Sequence, residues 1–186
     1  MNRNFNQLLP RSIVLLLLFL AGSISTFAQT EEPCVNEKAI RNICMMVESR
    51  SRDPKPLGHY EYTFQRKLLD AACVDWPNDS EEVIAFKVRR MWLKFENTHL
   101  VCNSVKFDTT NGNILKFAVA SRFDHVIFYA TQWKVHLNRI DEVDKLTVLD
   151  YVENQLKKHK GTVTESTLKM YYKQLRDAGA KYSWEL

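Results

Sequence analysis

Two stretches of this chain repeat each other. "ILKFAV" (Ile114 to Val119) lies over "VLDYVE" (Val148 to Glu153), which sets Leu115 and Leu149 34 positions apart. Each opens the same series: a short apolar helix, a second helix, and a non-helical phrase, "WKVHLN" in the first unit and "AGAKYS" in the second. A helical unit recurring at about 33 residues cannot bury its apolar face alone and has to stack on its neighbours. The expected fold is therefore all-α, built from stacked helical hairpins. In the first unit, residues 111–141 hold one Gly and no Pro. Their apolar pattern changes part-way, which predicts one short helix, a second helix and a brief extended piece ending at Asp141.

The first residues form a different kind of segment. Arg3 and Arg11 supply positive charge around the start of the apolar run "IVLLLLFLA" (Ile13 to Ala21), and small and polar residues follow it. Such a run is short for a transmembrane helix and has the proportions of a secretory signal peptide; an uncleaved N-terminal anchor is the competing reading. Thr26 and Ala28 fit a cleavage site, so residues 1–28 read as signal and Gln29 as the mature N-terminus. The expectation is an exported chain, periplasmic or secreted, with no stable membrane insertion after cleavage. Losing Arg3 and Arg11 lowers the formal net charge from +4 to +2, and so even a balance argues against a nucleic-acid partner held through phosphates. Residues 29–186 suffice for a single helical domain with a real core. It divides into a helical cap region (29–104) and a repeat region (105–186).

All four cysteines, Cys34, Cys44, Cys73 and Cys102, lie in that domain. An even count in an oxidising compartment favours disulfides. A zinc site using His99 and Cys102 is the weaker alternative, because no Cys-x2-Cys pair completes it. Pro33 suits a first helical position, with Ile40, Ile43, Cys44 and Val47 as the stripe. "SRDPKPLGH" breaks that helix, and Tyr60 to Cys73 makes the next. Helical rise puts Cys34 and Cys44 about 15 Å apart, beyond a disulfide's reach. An antiparallel hairpin turning near Pro54 instead sets Cys34 beside Cys73 and leaves Cys44 for Cys102. Ser80 then caps a helix presenting Val83, Ile84, Val88, Met91, Trp92 and Phe95 on one side, with Lys87, Arg89, Arg90 and Lys94 as a solvated basic face. In the second unit Gly161 ends one helix, Thr164 or Ser166 caps the next, and Gly179 terminates it.

Residue by residue the two units resemble the ankyrin repeat, whose pattern runs roughly G-x-T-P-L-H-x-A-A, a turn, then I-V-x-x-L-L-x-x-G-A-D-V-N-A-x-D. In the first unit Leu115 to Val119 resemble L-H-x-A-A, and Val126 and Ile127 take the I-V places. "KVHLNRID" stands for G-A-D-V-N-A-x-D, with Asn138 and Asp141 on its Asn and Asp. In the second, "DKLTVLDYV" resembles D-G-x-T-P-L-H-x-A, with Thr147 on the Thr, and "AGAK" resembles x-G-A-D. The resemblance covers residues 111–182 and has departures. Neither unit has the Pro, and Gly112 sits one place too close to the leucine. Lys134 stands where a glycine belongs, which demands another cap or a non-glycine residue at positive φ. The second unit carries about eleven extra residues, read as "NQLKKHKGTVT" between its helices. Two unrelated hairpins aligned by chance are the rival reading; "VHLNRID", awkward in a plain bundle, speaks against it. The resemblance implies an ankyrin-like stack of hairpins whose N-terminal end is closed by the disulfide-stapled helical cap.

Catalytic signatures are missing from the sequence: no G-x-S-x-G elbow, no phosphate-cradling glycine loop and no H-E-x-x-H. "DEVD" (Asp141 to Asp144) gathers three acids but lacks the spacing and central glycine of a calcium loop, and reads as an exposed tip between units. His125 and His136 have no nucleophile near them in sequence, and Trp133, Tyr171 and Tyr172 fall on packing positions. The expectation is a non-catalytic, exported protein-binding module of inhibitor or immunity type, with a protein partner, no cofactor and no metal. The resemblance implies contact through Asn113, Ala120 and Ser121 in the first unit and Glu142, Val143, Leu146, Asn154 and Gln155 in the second. The alternative is a small secreted hydrolase whose site is assembled from dispersed His and carboxylates.

Overall fold

The computed structural model describes residues 34–40, 43, 46, 57–101 and 113–186. Six α-helices carry most of the fold: α1 (Leu57–Ala71), α2 (Glu81–Phe95), α3 (Ile114–Ser121), α4 (Asp124–Gln132), α5 (Val148–Lys158) and α6 (Thr164–Asp177). A 3-10 turn, Ser183–Glu185, closes the chain. Among the described residues there is no strand, only an isolated bridge between Val101 and Asn113, so the all-helical expectation holds. No helix among them is long and apolar enough to cross a membrane.

Local chemistry sets most of the helix ends. Ser80 Oγ accepts from Val83 N and Glu81 and Glu82 fill the first turn of α2, as a helix start with unpaired N–H groups requires. Thr147 and Asp150 form a reciprocal capping box on α5. Asn113 Oδ1 accepts from both Leu115 N and Lys116 N at the start of α3. Gly179 ends α6 at φ +95 and Gly161 follows α5 at φ +78. Lys134, where a glycine belongs, takes φ 51, so the first unit keeps the glycine geometry without the glycine, at a cost of about 1 kcal/mol.

Three readings of helix ends need correction. The N-terminal helix starts at Glu37 rather than Pro33: Cys34 to Asn36 are non-helical and Asn36 Oδ1 caps Ala39 N. Neither Thr164 nor Ser166 caps α6. Its N-cap position is Val163, with no side-chain cap, and Glu165 Oε2 instead takes Gly161 N at 2.7 Å. The extra length of the second unit is not one insertion. It is spread over the first helix (11 residues against 8), the second helix (14 against 9) and the longer connection between them.

The helices α3 and α4 form one hairpin and α5 and α6 the next; α3 packs on α5, and α4 on α6, while α1 lies against α4 and α2. All the described residues lie in the compact unit Pro33–Leu186. Ile114 to Val119 are buried without interruption, which marks α3 as a central helix. Phe64, Phe117, Phe123, Ile127, Leu149 and Tyr171 are fully enclosed, each apolar burial contributing roughly 1.5–3 kcal/mol. Tyr171 adds a tie between hairpins, its hydroxyl donating to Asp124. Burial first, then that carboxylate, push the phenol above its ordinary range.

Cys34 and Cys73 lie at disulfide distance with Cα atoms 5.8 Å apart, as the antiparallel hairpin predicts. Beside them Asn36 N donates to Ala71 O. Cys44 and Cys102 fall outside the described residues. The basic face of α2 is not simply solvated: Lys87 Nζ bonds Asp79 Oδ2 and Cys73 O, and Arg89 Nη1 reaches Trp133 O. Val83, expected in the core stripe, is 40% exposed.

Candidate partner-binding surface

The sequence places a lysine inside the apolar phrase "ILKFAV", and the fold buries it completely. Lys116 Nζ lies 2.5 Å from Asp141 Oδ2 and 2.9 Å from both oxygens of Asp144. Asp141 is also fully buried; its Oδ1 accepts from Asn113 Nδ2 at 3.3 Å and lies 3.9 Å from Arg139. Burying a lone ammonium costs several kcal/mol, so the two carboxylates are what lets Lys116 sit there. They belong to the turn that leads from the first unit to the second. That turn is also closed on itself: Asp141 N donates to Leu146 O, Lys145 N to Asp141 O and Leu146 N to Asp144 Oδ1. The acids of "DEVD" are thus divided by function. Asp141 and Asp144 turn inward to the lysine, and Glu142 projects outward.

The result is a rigid tip bearing an exposed apolar side chain. Val143 is 66% exposed beside exposed Glu142. Leu146 is half-buried and its backbone holds the turn shut. The other expected contact residues divide. Asn113 is buried and spent on capping α3 and on Asp141; its side chain has no free face to offer. Ala120 packs partly against the core, and Ser121 Oγ donates to Phe117 O. Asn154 is exposed and Gln155 half-buried on α5. Since α3 and α5 lie side by side, Ser121, Asn154 and Gln155 share the later part of that helix pair, and Glu142 and Val143 flank its start.

Two pairings were invisible in the sequence. Glu96, buried where α2 ends, holds His136 Nδ1 at 2.7 and 2.9 Å, and its backbone oxygen accepts from Arg139 at 2.7 Å. The cavity beside them, lined by Trp92, Asn113 and Leu115 among others, is about 20 Å³, room for a water rather than a substrate. At the far end Arg176 grips Glu185 through two bonds of 2.6 and 2.7 Å, and this ion pair holds the Glu185 carboxyl down at about 2. A larger, open groove of about 360 Å³ runs along α1, between Gln65, Leu69, Asp70 and Trp76. Among the described residues no three His, Cys, Asp or Glu side chains are grouped to hold a metal ion.

The chain matches no known protein family model, no curated protein and no solved structure. The reading of its function rests on the residues themselves.

Proposed function

We propose that this is an exported, non-catalytic protein-binding module of inhibitor or immunity type. It would be delivered by the signal segment 1–28, with the hairpins of residues 111–182 forming an ankyrin-like stack. The contact surface comprises the Asp141–Leu146 tip, with Glu142 and Val143 outermost, and the later part of the α3–α5 pair at Ser121, Asn154 and Gln155. One observation carries the reading: a large apolar side chain, Val143, stands 66% exposed on a turn that a buried three-charge cluster holds rigid. A rigid tip loses little conformational freedom on binding, which favours its use as a contact point. The test is affinity capture from the native cell envelope, comparing the natural chain with Val143→Asp. The variant should melt as the natural chain does and lose the captured protein. Equal capture by both would remove the tip from the surface.

A further inference from the structure

The groove along α1 has the size of a small-ligand site and a wall that the chain holds in place. Its volume of about 360 Å³ falls within the range of roughly 300–1,000 Å³ usual for such sites. One side is α1 itself, through Gln65, Arg66, Leu69 and Asp70; the other is the loop of residues 74–76. Several bonds hold that loop. Asp79 Oδ2 accepts from Asp75 N at 2.7 Å and from Lys87 Nζ at 2.6 Å. Asn78 Nδ2 donates to Asp75 Oδ2 at 3.2 Å, and Cys73, just before the loop, is tied to Cys34. On this held loop Trp76 stands 64% exposed. A ring so exposed contributes little burial to the fold, and it lies where a ligand in the groove would meet it.

The chemistry of the lining narrows the ligand. Two carboxylates, Asp70 and Asp75, stand against one guanidinium, Arg66, which disfavours phosphates and other anions. An extended peptide is commonly held through open main-chain groups, and here those are spent. Ala72 N, Cys73 N and Val74 N donate to Leu68 O, Asp70 O and Leu69 O, and Asp75 N donates to Asp79. What the groove offers is an aromatic face beside side chains that donate (Arg66), accept (Asp70, Asp75) and do both (Gln65). A sugar ring answers each of these. Its C–H bonds carry a slight positive charge that suits the negative face of the indole. Its hydroxyls both donate and accept, and a carboxylate or guanidinium can engage two neighbouring ones together. We propose that this groove binds a neutral saccharide, one ring lying against Trp76 with its hydroxyls taken by Gln65, Arg66, Asp70 and Asp75. The proposal is independent of the tip at residues 141–146, and either can fail without the other.

An array of neutral and acidic oligosaccharides, probed with the chain as isolated from expressing cells and followed by titration calorimetry with each sugar retained, tests this. Retention of neutral sugars is expected. Trp76→Ala should abolish it, Trp76→Phe should keep part of it, and Asp70→Ala should weaken it about tenfold or more. Trp184→Ala removes another exposed ring, one outside the groove, and should bind as the natural chain does. All three positions are exposed, and melting curves confirm folding before the comparison. Retention of no neutral saccharide overturns the proposal, even if peptides are captured through Trp76. So does retention of acidic sugars alone, retention that Trp76→Ala leaves intact, or retention that Trp184→Ala removes equally.

Discussion

The two hairpins of this protein start alike and are fastened by opposite charges. Their N-caps, Asn113 and Thr147, are 34 positions apart, and the third helical residue after each is buried: Lys116 in α3, Asp150 in α5. Each of these reaches the stretch that follows its own hairpin. Lys116 Nζ takes Asp141 and Asp144; Asp150 Oδ2 takes Ser183 N at 2.9 Å while closing the box with Thr147. The caps do the same, Asn113 holding Asp141 and Thr147 Oγ1 donating to Lys181 O. Both units are anchored at that point, one through a cation and the other through an acid. Sign has consequences, however. An acid at that position supports its own helix start and sits among hydrogen-bond donors, whereas a lysine there needs carboxylates brought from elsewhere.

The largest effect should come from breaking the costlier anchor. Lys116→Met leaves Asp141 buried with its main partner removed, and should cost on the order of 3–5 kcal/mol in denaturant unfolding. Adding Asp141→Asn should recover much of that loss; no recovery would mean that packing, not charge, holds the tip. Asp150→Ala should cost less, about 1–3 kcal/mol, because it strands hydrogen-bond donors rather than a charge. The second anchor also carries a pH signature. Burial pushes the Asp150 carboxyl up, and hydrogen bonds from Thr147 and Ser183 outweigh it, holding the group below its ordinary value. Its stabilisation is therefore complete above about pH 4 and is lost as pH falls through the lowered native value. The acid limb of a stability profile should be shallower in Asp150→Asn; an unchanged limb would place the acid sensitivity elsewhere.

Smaller changes sharpen the comparison at the other end of each unit. Lys134 and Gly179 hold the same post-helix position, with Val135 N bonding Ala130 O in one unit and Ala180 N bonding Leu175 O in the other. Lys134→Gly should stabilise by about 0.5–1 kcal/mol, and Gly179→Ala, where a Cβ meets no atom within 4 Å, should destabilise by about as much through φ alone. Opposite signs in thermal melts would confirm that both units use one helix-ending geometry. Val143→Asp should have the smallest effect on stability, within about 0.5 kcal/mol, since its side chain is open to solvent.

The helices of both units, the cap Ser80, the terminator Gly179 and the strained Lys134 were all legible in the sequence. Each is a local matter: hydrophobic period, a side chain bonding its own backbone three residues on, or a φ that an L-residue tolerates poorly. The Cys34–Cys73 pairing was legible too, because helix rise and a proline-marked turn set it. Asn113, expected at a contact surface, is buried, because the side chain that caps α3 also faces Asp141, 28 positions away. The presence of a lysine in "ILKFAV" signalled something unusual, but sequence spacing could not supply its partners.

Sequence by itself determined which stretches are helical and that two hairpins share one pattern, since those preferences depend on residues within about a turn of one another. Only the tertiary structure decided which polar groups turn inward. The choice of Asp141 and Asp144 for Lys116, of His136 for Glu96 and of Asp124 for Tyr171 joins positions dozens of residues apart. A buried charge or hydroxyl takes whatever partner the stacking of helices brings within reach, because leaving it unpaired away from water costs more than any local preference can return.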